Sequence, residues 1–158
     1  MKLQALAVVS ALFLLAACDS VLGGDGANGG AGSANGNVVP GTASDLSTNV
    51  GDRVFFALDS SVLSSEGQAT LGRQAEWLKQ YGSVKVAVEG HCDERGTREY
   101  NIALGERRAA AAKSYLTSLG VDAGRVSTIS YGKERPAVAG NDESSYSQNR
   151  RAVTVIAN

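Results

Sequence analysis

An α/β two-layer sandwich, with two main helices packed on a four-strand mixed sheet, is the fold class this sequence predicts. Two stretches of helical period alternate with short β-branched runs, and two further β-branched runs close the chain, giving the order β-α-β-α-β-β. Glycine or a capping serine stands where several of these runs begin or end. Helices that alternate with strands in this way cover one face of the sheet that the strands form.

The elements follow in order. Arg53-Val54-Phe55-Phe56-Ala57-Leu58 is compact, apolar and partly aromatic, and reads as the first strand. Ser65-Glu66-Gly67-Gln68 has the S-x-x-Q spacing of a capping box, so a helix is expected from there, with Leu71, Ala75 and Leu78 on one face. Tyr81-Gly82 ends it. Val84-Lys85-Val86-Ala87-Val88 is the second strand. A longer helix is expected from about Arg98 to Leu119, because Ile102, Gly105, Ala109, Ala112, Leu116 and Leu119 recur at spacings of three and four. Its small residues favour close packing on the sheet, and Gly120 stops it. Val126 to Tyr131 and Ala152 to Ile156 are the last two strands, separated by a polar excursion from about Pro136 to Gln148.

This domain is expected to occupy residues 46–158, and two segments of different character precede it. Residues 1–17 carry one cation, Lys2, and then a mostly apolar run ending in small residues, the pattern of an export signal too short to span a membrane. Leu15-Ala16-Ala17-Cys18 resembles a bacterial lipobox, which would place S-diacylglycerol and an N-acyl group on Cys18. Each buried methylene contributes about 0.8 kcal/mol, so several chains anchor stably where one does not. Residues 18–45 form a Gly/Ala/Asn-rich stretch, with eight glycines from Gly23 to Gly41, that lacks the apolar surface to offset its ordering entropy. As a flexible tether it would span roughly 30 Å on average and about 90 Å when stretched.

Removing residues 1–17 takes away Lys2 and leaves 14 cations against 16 anions, a formal charge of −2. Nothing in that balance asks for nucleic acid. Lipidation of Cys18 would leave Cys92 without a mate in the chain, so no intrachain disulfide is expected. No other cofactor is expected.

The chemistry concentrates between Gly90 and Arg108. Asp93 follows a strand, while Asn101 and Arg108 are two helical turns apart on one face with Leu104 between them. The helix start near Thr97 adds free N–H groups that favour an anion. A small zwitterion fits: Arg108 can take a carboxylate bidentately and Asp93 an ammonium. The spacing fits equally well an exposed charge network in which Asp93 and Arg108 pair with each other or with Arg95, Glu99, Glu106 and Arg107. His91, Cys92, Asp93 and Glu94 also raise a zinc site or a Cys92 hydrolase. Consecutive residues at a strand end point to opposite sides, and His91 is the chain's one histidine, so no metal site and no catalysis are expected.

From Val54 to Val155 the chain resembles the OmpA-like peptidoglycan-binding domain family. The blocks that carry the resemblance include Val54-Phe55-Phe56-Ala57-Leu58-Asp59-Ser60, Gly90-His91-Cys92-Asp93-Glu94-Arg95-Gly96-Thr97 and Tyr100-Asn101-Ile102-Ala103-Leu104-Gly105-Glu106-Arg107-Arg108-Ala109. Gly120-Val121-Asp122, Ser130-Tyr131-Gly132 and Asn149-Arg150-Arg151-Ala152-Val153 follow in the same order. The resemblance implies non-covalent binding of the diaminopimelate in peptidoglycan stem peptides. It assigns the ligand's amine to Asp93 and its carboxylate to Arg108, lines the pocket with Asn101 and Leu104, and adds Asp59 and Arg150 at its flanks. It further implies TolB and TolA as partners, with the lipid anchor in the outer membrane and the domain facing the periplasm. Asp19, directly after the lipidated cysteine, is a residue that in enteric bacteria favours retention in the inner membrane. An OmpA-like lipoprotein without Tol partners is the alternative. Two positions depart from the family pattern: Cys92 stands where threonine is usual, and Gly105 where serine is common, which would remove a hydroxyl from the ligand's surroundings.

Overall fold

A computed structural model describes residues 38–157. The signal segment, Cys18, Asp19 and most of the tether lie outside the described residues. A short helix α1 (Ala43–Asp45) runs into a wide π-helical turn (Leu46–Val50) and then into β1 (Arg53–Phe55), α2 (Ser65–Gln80) and β2 (Val86–His91). Next come α3 (Arg98–Ser118), a 3₁₀ turn (Ala123–Arg125), β3 (Val126–Gly132), α4 (Glu143–Asn149) and β4 (Arg151–Ile156). The sheet order is β1-β4-β2-β3. β4 lies antiparallel to both β1 and β2, while β2 and β3 are parallel, joined by the crossover helix α3. The mixed α/β sandwich expected from the sequence is therefore the observed architecture.

The core forms between the sheet and the two long helices. Leu71, Ala75 and Leu78 of α2 and Ala109, Ala112 and Leu116 of α3 pack with Val86 and Val88 of β2, Val126 of β3 and Ala152 of β4. Gln74 enters this core as a satisfied polar group: its amide donates to Gly51 O at 2.7 Å and its carbonyl accepts from Thr154 Oγ1 at 2.8 Å. Ile102, expected on the buried stripe of α3, is 37 % exposed, while Asn101, Leu104 and Gly105 beside it are buried.

Several boundaries differ from the sequence expectation, each for a local reason. The cap of α2 is Ser64, whose hydroxyl accepts from Gly67 N at 3.1 Å, so the helix is capped one residue earlier than the S-x-x-Q spacing suggests. β1 stops at Phe55, three residues short of Leu58, and the chain then turns through Asp59, which has φ 54°. β2 runs on to His91 and so carries its C-terminal end to the edge of the candidate site. The polar excursion contains α4, capped by Asp142, whose Oδ1 accepts from Ser145 N at 2.7 Å.

The tether, expected to reach residue 45, gives way to folded chain earlier. Asp45 is buried and accepts from Gly41 N, Asn49 Nδ2 and Trp77 Nε1, each at 2.8 Å. Those bonds fasten the entry of the domain to α2, and they hold the Asp45 carboxyl below its ordinary pKa, with the Trp77 bond as the largest cause.

Candidate functional site

A pocket of about 240 Å³ opens where the end of β2, the loop after β1 and the first turns of α3 meet. Leu104 forms part of its apolar lining, with Leu58 and Tyr100, while Asp59, Asp93, Asn101 and Arg108 bring polar groups to it. Three observations explain this convergence. Thr97 caps α3 by accepting from Tyr100 N at 3.2 Å, which fixes the helix start beside the strand end. Gly96, at φ 89°, makes the tight entry that leaves Asp93 facing the helix. Gly90 and Gly105 let β2 and α3 touch backbone to backbone, since a Cβ on Gly90 would overlap the Gly105 carbonyl.

Arg108 is completely buried at this site. Its Nε donates to Ser60 O at 2.8 Å, Nη1 to His91 O at 2.8 Å and to Cys92 Sγ at 3.4 Å, and Nη2 to Ala57 O at 3.2 Å. No carboxylate among the described residues comes within ion-pair distance of it. Four of the five guanidinium N–H bonds are engaged, so one on Nη2 is left over. The two-pronged grip expected of Arg108 is thus not available without rearrangement, because its N–H groups already hold the loop after β1 and the end of β2. Burial pulls the Arg108 pKa below its ordinary value, against the upward pull of Cys92, Asp93 and Asp59.

Asp93 is 5 % exposed and does not pair with Arg108. Arg95 grips it instead, with Nε 3.1 Å from Oδ1 and Nη2 2.6 Å from Oδ2, while Arg95 N donates to Oδ1 at 3.2 Å. Arg150 adds Nη1 at 3.4 Å from Oδ2. Burial pushes the Asp93 carboxyl up, but these partners outweigh it and leave the pKa below the ordinary carboxylate value.

The remaining expected residues divide between lining and bracing. Asp59 lies at the pocket and accepts a hydrogen bond from the Tyr100 hydroxyl. Asn101 spends both N–H bonds of its amide on the loop, at 2.8 Å to Arg95 O and 3.0 Å to Thr97 O, which leaves its carbonyl as the atom with free capacity. Arg150 does not line the pocket; it stands behind Asp93, tied to Phe56 O at 3.1 Å and Glu143 Oε1 at 2.6 Å. Gly105 faces Gly90 and Ser130 Oγ rather than the pocket, so a serine there would not offer its hydroxyl to a ligand. Leu58, Cys92, Arg95, Gly96 and Tyr100 also line the pocket, and sequence reasoning did not assign them to it. The signal for Tyr100 was available, because it stands four residues before Leu104, one turn away on the same helical face.

Cys92 is buried and its thiol is held by Asn101 O at 3.3 Å. Burial pushes the thiol pKa up in spite of the neighbouring Arg108, so it stays protonated and packs as a small apolar group. Among the described residues no three His, Cys, Asp or Glu side chains converge as metal ligands.

His91 is 2 % exposed, stacks near Tyr131 at a ring separation of 5.5 Å, and has no hydrogen-bond partner at either ring nitrogen. Glu89 Oε2 lies 3.7 Å from Nε2, and Arg151 and Arg135 stand nearby. Burial and then the two arginines push the His91 pKa down to about 4 from 6.5. The unfolded chain therefore binds a proton that the folded chain refuses as pH falls from 6.5 towards 4. Stability is full above about pH 7 and declines through that window, by about 3 kcal/mol in all. His91→Phe, which forfeits no hydrogen bond, is expected to flatten this decline. Urea midpoints at pH 7 and pH 4.5 check it; an equal decline in the variant would assign the loss to other groups.

The OmpA family pattern matches residues 55–150. The chain is 58 % identical over 121 residues to the peptidoglycan-associated lipoprotein of Mesorhizobium japonicum, covering 77 % of this chain and 72 % of that one. It is 45 % identical over 150 residues to the peptidoglycan-associated lipoprotein of Haemophilus influenzae, covering 95 % of each. The crystal structure of the peptidoglycan-associated lipoprotein from Burkholderia pseudomallei superposes with a TM-score of 0.67 at 38 % identity, over 72 % of this chain and all of that one. The chain belongs to the OmpA family.

Proposed function

We propose that this protein binds peptidoglycan non-covalently, through the zwitterionic end of the diaminopimelate in the stem peptide, and that it does so without catalysis. The observation that carries the reading is Arg108, a fully buried cation with no carboxylate partner among the described residues, in the lining of a pocket that also holds Asp93. An uncompensated buried charge is costly, and an anionic ligand relieves that cost. The ligand's carboxylate meets the remaining Nη2 N–H of Arg108, its ammonium meets Asp93, and its methylene chain lies on Leu104, Leu58 and Tyr100. With one N–H on offer, preference for a free carboxylate over an amide rests on charge rather than on a bidentate fit.

The names of the relatives support the same reading for the whole chain. Cys18 carries the lipid, residues 18 to about 37 are the tether, and the folded domain faces the periplasm. The anchor lies in the outer membrane, with Asp19 the feature that favours inner-membrane retention, and TolB and TolA are the protein partners. No helix among the described residues is long and apolar enough to cross a membrane.

Sedimentation of the full chain in detergent with purified peptidoglycan tests the site from the ligand's side. The protein is expected to pellet with diaminopimelate-type peptidoglycan and to stay in solution with lysine-type peptidoglycan, which lacks the carboxylate beside the terminal amine. Asp93→Asn is expected to pellet with neither. A parent protein that ignores the diaminopimelate type, or pellets equally with both, would refute the zwitterion site.

A further inference from the structure

We infer that Arg95 is a built-in competitor for the site, occupying Asp93 as a stand-in for the ligand's cation, so that ligand binding is an exchange of one cation for another. The inference rests on the binding function proposed above and concerns how that site is controlled. A carboxylate has about four lone-pair positions, and all four of Asp93 are filled. Oδ1 accepts from Arg95 N and Arg95 Nε, and Oδ2 accepts from Arg95 Nη2 and Arg150 Nη1. An ammonium has no vacant acceptor on Asp93 until one of these donors leaves.

Arg95 is the donor that can leave. Its side chain is 38 % exposed, whereas that of Arg150 is 8 % exposed and is tied to Phe56 O and Glu143. Both Arg95 and Asp93 line the pocket. The guanidinium has other partners to keep as it lets go of Asp93, since in the paired position Arg95 Nη1 already lies 3.8 Å from Glu143 Oε2 and its Cζ stands 4.3 Å over the Tyr146 ring. Tyr146 is itself held by its hydroxyl bond to Glu94 Oε1 at 2.8 Å, so the ring stays in place under Arg95 as the bonds to Asp93 are given up. The exchange leaves the backbone bond from Arg95 N to Oδ1 in place, which keeps Asp93 oriented while its outer face is vacated. A ligand without a cation cannot displace Arg95, which makes Arg95 a specificity-determining residue as well as a competitor.

Calorimetric titration of the full chain with a soluble muropeptide ending in diaminopimelate tests the exchange. Arg95→Ala and Arg95→Gln keep the backbone donor and remove the competing guanidinium, and both are expected to bind about threefold to thirtyfold more tightly than the parent. In the parent, the Arg95 Nε proton is expected to exchange slowly with water when free and rapidly once the muropeptide saturates the site. Variants that bind equally or more weakly, or an Arg95 Nε–H that stays protected at saturation, would overturn the inference. A parent that fails to bind the muropeptide at all removes the proposed function, and the exchange falls with it. A parent that binds while Asp93→Asn does not, combined with Arg95 variants that bind no tighter, removes the exchange alone.

Discussion

Gly90→Ala is expected to cost about 4 kcal/mol or more, enough to leave much of the protein unfolded. The added methyl would overlap the Gly105 carbonyl oxygen and stand 3.0 Å from Gly105 Cα. Those atoms belong to helix backbone, which has no rotamer to adopt and moves only if α3 lifts as a body from β2. Because α3 also carries Asn101, Leu104 and Arg108, lifting it would open the pocket as well as the core. A second glycine provides the contrast. Gly72, in α2, has no heavy atom beyond its own stretch of helix backbone within 4 Å of the position a Cβ would take, so Gly72→Ala is expected to stabilise by about 0.5–1 kcal/mol through helix propensity and unfolded-chain entropy. Urea unfolding of the two variants beside the parent separates them. A loss below about 1 kcal/mol for Gly90→Ala would mean that the helix and strand are not in rigid contact there.

Arg108→Ala is expected to lose about 3 kcal/mol of folding stability even with no ligand present. Three backbone carbonyls, those of Ala57, Ser60 and His91, would lose their charged donor, and a large buried side chain would leave a hole. Removal of an uncompensated buried cation works in the opposite direction and keeps the loss below the simple sum of its hydrogen bonds. Arg108→Lys keeps the charge but has one compact ammonium where the guanidinium reaches three directions, so it should recover only part of the loss. Thermal or urea unfolding of both variants measures this. An unfolding midpoint for Arg108→Ala equal to the parent's would show that the loop after β1 is held by something else. A residue that braces the loop and is also proposed to meet the ligand cannot be assigned to one role by deletion, and this is why the choice between diaminopimelate and lysine in the cell wall polymer is the cleaner test of the proposed binding.

Much of the fold was legible because its signals are local. The stripe of small residues from Gly105 to Leu116 marked α3, and alternating β-branched residues marked β2, β3 and β4 within a few residues of their observed limits. α4 was missed for an equally local reason: Glu143–Asn149 buries only Ser145 and Asn149, so it shows no apolar period, and its one signal is Asp142 three residues before Ser145. β1 was drawn too long because Phe56 is buried like a strand residue although it lies beyond the paired segment, where its N–H still bonds to Arg150 O at 2.9 Å.

The candidate site was legible as a set of residues but not as a set of pairings. Spacing along a helix put Asn101, Leu104 and Arg108 on one face, and the sequence alone could carry that, because a helix converts separation in number into direction in space. The partner each charge takes depends on distances across elements that no spacing encodes. Asp93 stands near Arg95 along the chain and meets Arg150 from β4's approach, 57 residues away, while Arg108 turns to carbonyls 48 and 51 residues before it. The sequence by itself determined the layered architecture, the small-residue contact of α3 with the sheet and the residue types at the pocket. Only the tertiary structure decided that Asp93 is filled by Arg95 and that Arg108 has no counter-ion among the described residues, because charge pairing falls with distance and those distances exist only once the chain has folded.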